Sequence, residues 1–91
     1  MNDLADLYSA WRYEFEYWKR IHGFNPLSLV ESEDRSPSWE MNRFHIFELE
    51  NGTYVTVLEQ GCSCYDPSWA EIDFHRTLEE AKERMNDWRN R

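Results

Sequence analysis

Apolar positions recur along the chain with two different periods, and the switches between them lay out a fold. Leu4, Tyr8, Trp11, Phe15, Trp18 and His22 fall at alternating four- and three-residue spacings, which puts them on one stripe of an α-helix from Leu4 to His22. Asn2 or Asp3 caps its start; Gly23 ends it in the left-handed conformation, and Asn25-Pro26 forbids continuation. The stripe is aromatic, so it reads as core packing rather than a cofactor box or a coiled-coil seam, which favours aliphatic residues. Tyr13, Tyr17 and Arg20 fall on another face of the same helix.

Between Asn25 and Glu40, Leu27, Leu29 and Val30 precede a polar run from Glu31 to Ser38 with clustered charge and Ser-Pro. This reads as a surface connection, in which Leu27 to Val30 has the composition of one short strand. From Arg43 to Gln60 the period becomes two. Asn51-Gly52 sits between Phe44–Glu50 and Thr53–Leu58, both rich in aromatic and β-branched residues, which predicts a hairpin with a two-residue turn. That turn pairs Glu50 with Thr53, Leu49 with Tyr54 and His45 with Leu58. One face then carries His45, Phe47, Leu49, Tyr54, Thr56 and Leu58. The other carries Phe44, Ile46, Val55 and Val57 with Glu48, Glu50 and Glu59 around them. The first face, free of carboxylates, is the expected core side.

Ala70, Ile72 and Phe74 alternate with Glu71, Asp73 and His75, the pattern of a half-buried strand. Thr77-Leu-Glu-Glu80 is a capping box opening a second helix, which buries Leu78, Ala81, Met85 and Trp88 on one stripe. The expectation is one α+β domain over residues 1–91: a three-stranded antiparallel sheet packed by an N-terminal and a C-terminal helix, in the order α-β-β-β-α. Trp11, Phe15, Trp18, Leu78, Met85 and Trp88 are the expected contacts between helices and sheet.

Composition narrows the function classes. The 91 residues hold fifteen aromatic side chains, enough for a packed core, and the chain is too short for two cores. Ten Lys and Arg face eighteen Asp and Glu, a net charge of -8 that repels phosphate and argues against direct nucleic-acid binding. No apolar run approaches a membrane span, and the start lacks the pattern of a signal peptide, so the expected setting is cytoplasmic.

Chemistry-bearing motifs are sparse. The three glycines are dispersed, so no phosphate loop or nucleophile elbow is present, and no catalytic residue is assigned. His22, at a helix C-terminus, is placed where a cation is favoured, and His45 lies among apolar hairpin residues. Cys62 and Cys64, joined by His45 and His75, make up a four-ligand zinc set on paper. Their spacing is tighter than in structural zinc sites, so no metal or cofactor is expected. A metal-binding or thiol-redox protein centred on that loop is the second reading, and a homo-oligomeric accessory protein the third.

Charge is uneven: residues 41–75 carry net -5, against -4 for 1–40 and +1 for 76–91. If the third strand joins the hairpin with Ala70, Ile72 and Phe74 inward, then Glu71 and Asp73 share a face with Glu48, Glu50 and Glu59. Such a face fits a docking surface for a basic protein, with acids steering encounter and Tyr13 and Tyr17 as aromatic anchors. Gly61-Cys-Ser-Cys-Tyr-Asp-Pro, the alternating strand after it and Thr77-Leu-Glu-Glu-Ala81 together resemble small uncharacterised proteins of actinobacterial phages. The resemblance covers the C-terminal third and implies a phage product acting in the host cytoplasm. By analogy with other small acidic phage proteins, it fits an inhibitor that presents carboxylates in place of phosphates to a nucleic-acid-binding partner.

Overall fold

In a computed structural model, residues 12–37, 39–62 and 69–91 are described. Helix α1 (Arg12–His22) leads into strands β1 (Pro26–Asp34), β2 (Glu40–Leu49), β3 (Tyr54–Cys62) and β4 (Glu71–His75), and helix α2 (Leu78–Arg89) follows. The four strands form one antiparallel sheet in the order β1-β2-β3-β4. The fold is α+β as expected, but the sheet has four strands and not three.

The additional strand is the segment expected to be a surface connection. Pro26, which lacks an amide hydrogen, opens β1 at the edge of the sheet, where no ladder donor is required of it. Leu29 lies opposite Phe47. A register shift at Val30 then brings Glu31 opposite Ile46 and Glu33 opposite Phe44. Those carboxylates meet Arg89 of α2, whose Nη2 donates to Glu31 at 2.7 Å and whose Nε donates to Glu33 at 2.8 Å; Arg35 pairs with Glu33 as well. A polar sequence is thus held as strand by one cation, Arg89, 58 residues beyond Glu31 and 56 beyond Glu33.

The hairpin differs from expectation by one residue. Its loop is Glu50-Asn51-Gly52: the Leu49 amide donates to Thr53 O at 2.8 Å and the Gly52 amide to Leu49 O at 3.1 Å. A two-residue type I′ turn needs positive φ at both central residues, yet only Gly52 has it, at 84°. The loop is therefore a type I turn closed by a glycine bulge. Phe47 faces Val55, His45 faces Val57, Phe44 faces Leu58 and Arg43 faces Glu59. Since side chains alternate, this slip of one moves every β3 side chain to the face opposite the expected one.

The sheet is consequently buried on both sides. Phe47, Leu49, Val55 and Val57 pack with Trp18, Phe24, Leu29 and Ala70 on the α1 side; Phe44, Ile46 and Leu58 pack with Ala81, Met85 and Trp88 on the α2 side. Trp18, Met85 and Trp88 are core contacts as expected, and Leu78 is half-buried. Trp11, Cys64 and the side chains of Tyr13, Phe15 and Tyr17 lie outside the described set. On the second face the Trp88 ring stacks on Phe44 at 5.4 Å while its Nε1 donates to Asn42 Oδ1 at 2.8 Å.

Both helix boundaries follow local chemistry. Gly23, at φ 71°, lets its amide return to Lys19 O at 2.9 Å, and Phe24 folds back into the core. Thr77 Oγ1 accepts from the Glu80 amide at 3.2 Å, and the Glu80 side chain reaches back to the Arg76 amide, one residue beyond the cap. His22 departs from its expected role. Burial pushes its pKa down, and its Nε2 is buried without a hydrogen-bond partner, so desolvation outweighs the helix dipole.

That burial sets a pH dependence. The folded pKa of His22 lies below its ordinary 6.5, so the unfolded chain takes the proton first. The stabilisation is complete above 6.5 and is lost as pH falls through the folded value. Comparing urea midpoints at pH 7.5 and 5.5, His22→Gln should lose less stability on acidification than the unmodified protein. An identical loss in both sets aside this assignment. Glu33 acts in the same direction at lower pH. Burial raises its pKa, but hydrogen bonds and charge from Arg89 and Arg35 prevail and hold it below 4.5, so that contribution disappears only in stronger acid.

Candidate functional site

Two places on the sheet gather polar chemistry. The first lies on the α1 side, in the row formed by β1, β2 and β3. Ser32 is the cross-strand partner of His45, and Arg43 that of Glu59. Ser32 Oγ lies 2.7 Å from His45 Nδ1, and His45 Nε2 lies 2.9 Å from Glu59 Oε1. Arg43 closes on the same carboxylate through Nε at 3.0 Å and Nη2 at 3.1 Å. His45 and Glu59 are fully buried, with the Trp18 ring 5.6 Å from the imidazole.

The order serine, histidine, carboxylate is that of a nucleophile relay. A carboxylate only accepts, so Nε2 is the nitrogen that carries a proton toward Glu59, which leaves Nδ1 facing the serine hydroxyl. The surroundings favour a structural role. Glu59 is clamped by a guanidinium, and the imidazole is sealed under an indole. Each charge in the row has a hydrogen-bonded counter-charge, which is what permits ionised groups in an apolar layer.

The second place is a half-open cleft of about 290 Å³ at the hairpin end, lined by Gly23, Phe24, Asn25, Leu49, Glu50, Asn51, Thr53 and Phe74. The Glu50 amide donates to Asn25 O at 3.3 Å, tying the α1–β1 connection to the hairpin loop across the cleft. Phe24 and Leu49 are buried in its apolar wall, whereas Phe74 is 58% exposed. The alternation places Phe74 on the core side with Ala70 and Ile72. It shares their face opposite Val55, but at this end of an edge strand its ring stays in solvent.

Of the five carboxylates expected on one docking face, Glu48, Glu71 and Asp73 share the α2 side, while Glu59 lies on the other face and Glu50 in the loop. Glu59 is a correction: it points to the α1 side and is sealed in the Arg43 pair, because the one-residue slip turned β3 over. Glu71 and Asp73 point to the α2 side, opposite Leu58 and Thr56; Asp73 accepts from Arg84 Nε at 3.3 Å. Glu48 is half-buried on that same side, opposite Tyr54, and Glu50 is exposed in the loop. Glu71 stands four β3 positions from the level of Glu48, roughly 13 Å along the strand. Glu71 and Asp73 remain neighbours on one face of β4, and Glu48 and Glu50 lie two residues apart at the hairpin end.

The metal set on paper does not close either. His45 lies on the α1 face and His75 on the α2 face, opposite Tyr54, so a single ion cannot share them. Among the described residues no group of three or more His, Cys, Asp or Glu is arranged around a metal-sized space, and no helix is long and apolar enough to cross a membrane. Sequence reasoning missed the Ser32–His45–Glu59–Arg43 row. The available signal was Arg43, the sole cation in residues 41–75, for which the three-residue loop supplies Glu59 as direct partner. No family model, curated protein or solved structure matches this chain.

Proposed function

We propose that this protein is a non-catalytic binding module that docks a basic partner protein through the hairpin end of its sheet. The observation carrying this reading is how the acids are distributed. Glu31 and Glu33 pair with Arg89 and Arg35, Glu59 with Arg43 and Asp73 with Arg84; Glu48 and Glu50, like Glu71 and the exposed acids of α2, make no ion pair among the described residues. What sets this end apart is the cleft: Glu50 lines it beside apolar walls, and Glu48 is half-buried on the opposite, α2 side of the same end of the sheet. Unpaired carboxylates steer a cationic partner over about a Debye length, roughly 8 Å at physiological salt, and the apolar surface then supplies affinity. The resemblance to phage proteins makes a nucleic-acid-handling host protein the first class of basic partner to test.

The test separates a site from bulk charge. A fluorescent arginine-rich peptide is titrated against the protein, against Glu48→Lys/Glu50→Lys and against Glu83→Lys/Asp87→Lys. The two variants make equal changes of net charge, the second on exposed positions of α2. Reversal at the hairpin end should weaken binding by about tenfold or more, and reversal on α2 by less than about threefold. Equal losses in the two variants defeat the proposal.

A further inference from the structure

We infer that the hairpin-end cleft reads one arginine side chain of the partner, an assignment that rests on the binding function proposed above and gives it a chemical specificity. About 290 Å³ is just below the range of pockets for drug-sized ligands, which suits a single long side chain better than a cofactor. The lining combines what an arginine offers in turn. Phe24 and Leu49 form an apolar wall for the aliphatic stem, the exposed Phe74 ring supplies a face for a guanidinium to stack on, and the Glu50 carboxylate has no cation of its own among the described residues.

Arginine fits this set better than lysine. A guanidinium is planar, binds a carboxylate through two parallel hydrogen bonds and stacks on an aromatic ring, whereas an ammonium is a strongly hydrated point charge. The two sides of the cleft are also held before any ligand arrives. Gly23 turns the chain out of α1, Gly52 closes the loop, and the bond from the Glu50 amide to Asn25 O links them. A site assembled in advance loses less freedom on binding.

Three blocked tripeptides, Gly-Arg-Gly, Gly-citrulline-Gly and Gly-Lys-Gly, are titrated into the full chain labelled with ¹⁵N. The arginine peptide should shift the amides of Gly23, Asn25, Glu50 and Gly52 and bind about tenfold more tightly than the isosteric, uncharged citrulline peptide. Glu50→Gln and Phe74→Ala should each weaken it at least about threefold, with Glu83→Gln as an unaffected control. Equal binding of citrulline or lysine overturns the inference, as do shifts that map elsewhere or self-association that buries the cleft. If the tripeptides fail while the arginine-rich peptide still binds in a manner sensitive to Glu48 and Glu50, the arginine pocket is wrong and the binding function stands. If both fail, both are wrong.

Discussion

Glu59→Ala is expected to cost about 3 to 5 kcal/mol, because it strips a buried cation of its counter-charge while leaving that cation in place. Arg43, exposed by only 7%, donates two hydrogen bonds to Glu59, and His45 contributes a third contact. A chain of this length has a total stability of about 5 to 14 kcal/mol, so the variant sits near the folding threshold. The pair as a whole is worth less than its rupture. Replacing both partners, Arg43→Met with Glu59→Leu, removes the desolvation penalty together with the attraction and should be milder than Glu59→Ala alone. Urea unfolding of the two variants beside the unmodified protein decides the matter: if Glu59→Ala loses less than about 1 kcal/mol, the row is more hydrated than its burial indicates.

Trp18→Ala should be comparably severe, at about 3 to 5 kcal/mol, since a fully buried indole leaves a void that its neighbours fill only in part. Its ring touches two rows of the sheet, with centroids 5.6 Å from His45 and 6.4 Å from Phe47. The loss therefore reaches the polar row as well as the apolar layer, because removing the indole lets water reach the imidazole. The control is Trp39→Ala. That ring is 70% exposed, and its removal should change stability by no more than about 0.5 kcal/mol. Thermal unfolding of both variants is sufficient, and similar losses in the two would show that Trp18 does not anchor α1.

The local elements are legible in the chain alone, since their signals lie within a few residues of one another. Gly23 and Asn25-Pro26 stop α1, Thr77 and Glu80 start α2, and the alternation of Ile72 and Phe74 with Glu71, Asp73 and His75 marks β4. The position of the hairpin loop was equally legible, because Asn51-Gly52 marks the turn and Gly52 carries its positive φ. The register was not. Phe44-His45-Ile46-Phe47 is apolar on both faces of a strand buried on both sides, so no alternation distinguishes a two-residue turn from a three-residue one. That Glu59 belongs with Arg43 and His45 on the α1 side, away from the acids on the other face, follows only from the packed register. The tertiary structure likewise decided that the polar run beginning at Glu31 is a strand, because its partner, Arg89, arrives from the far end of the chain. Charge pairing between distant segments leaves no periodic trace in either one, and such pairings decide which carboxylates are held within the fold.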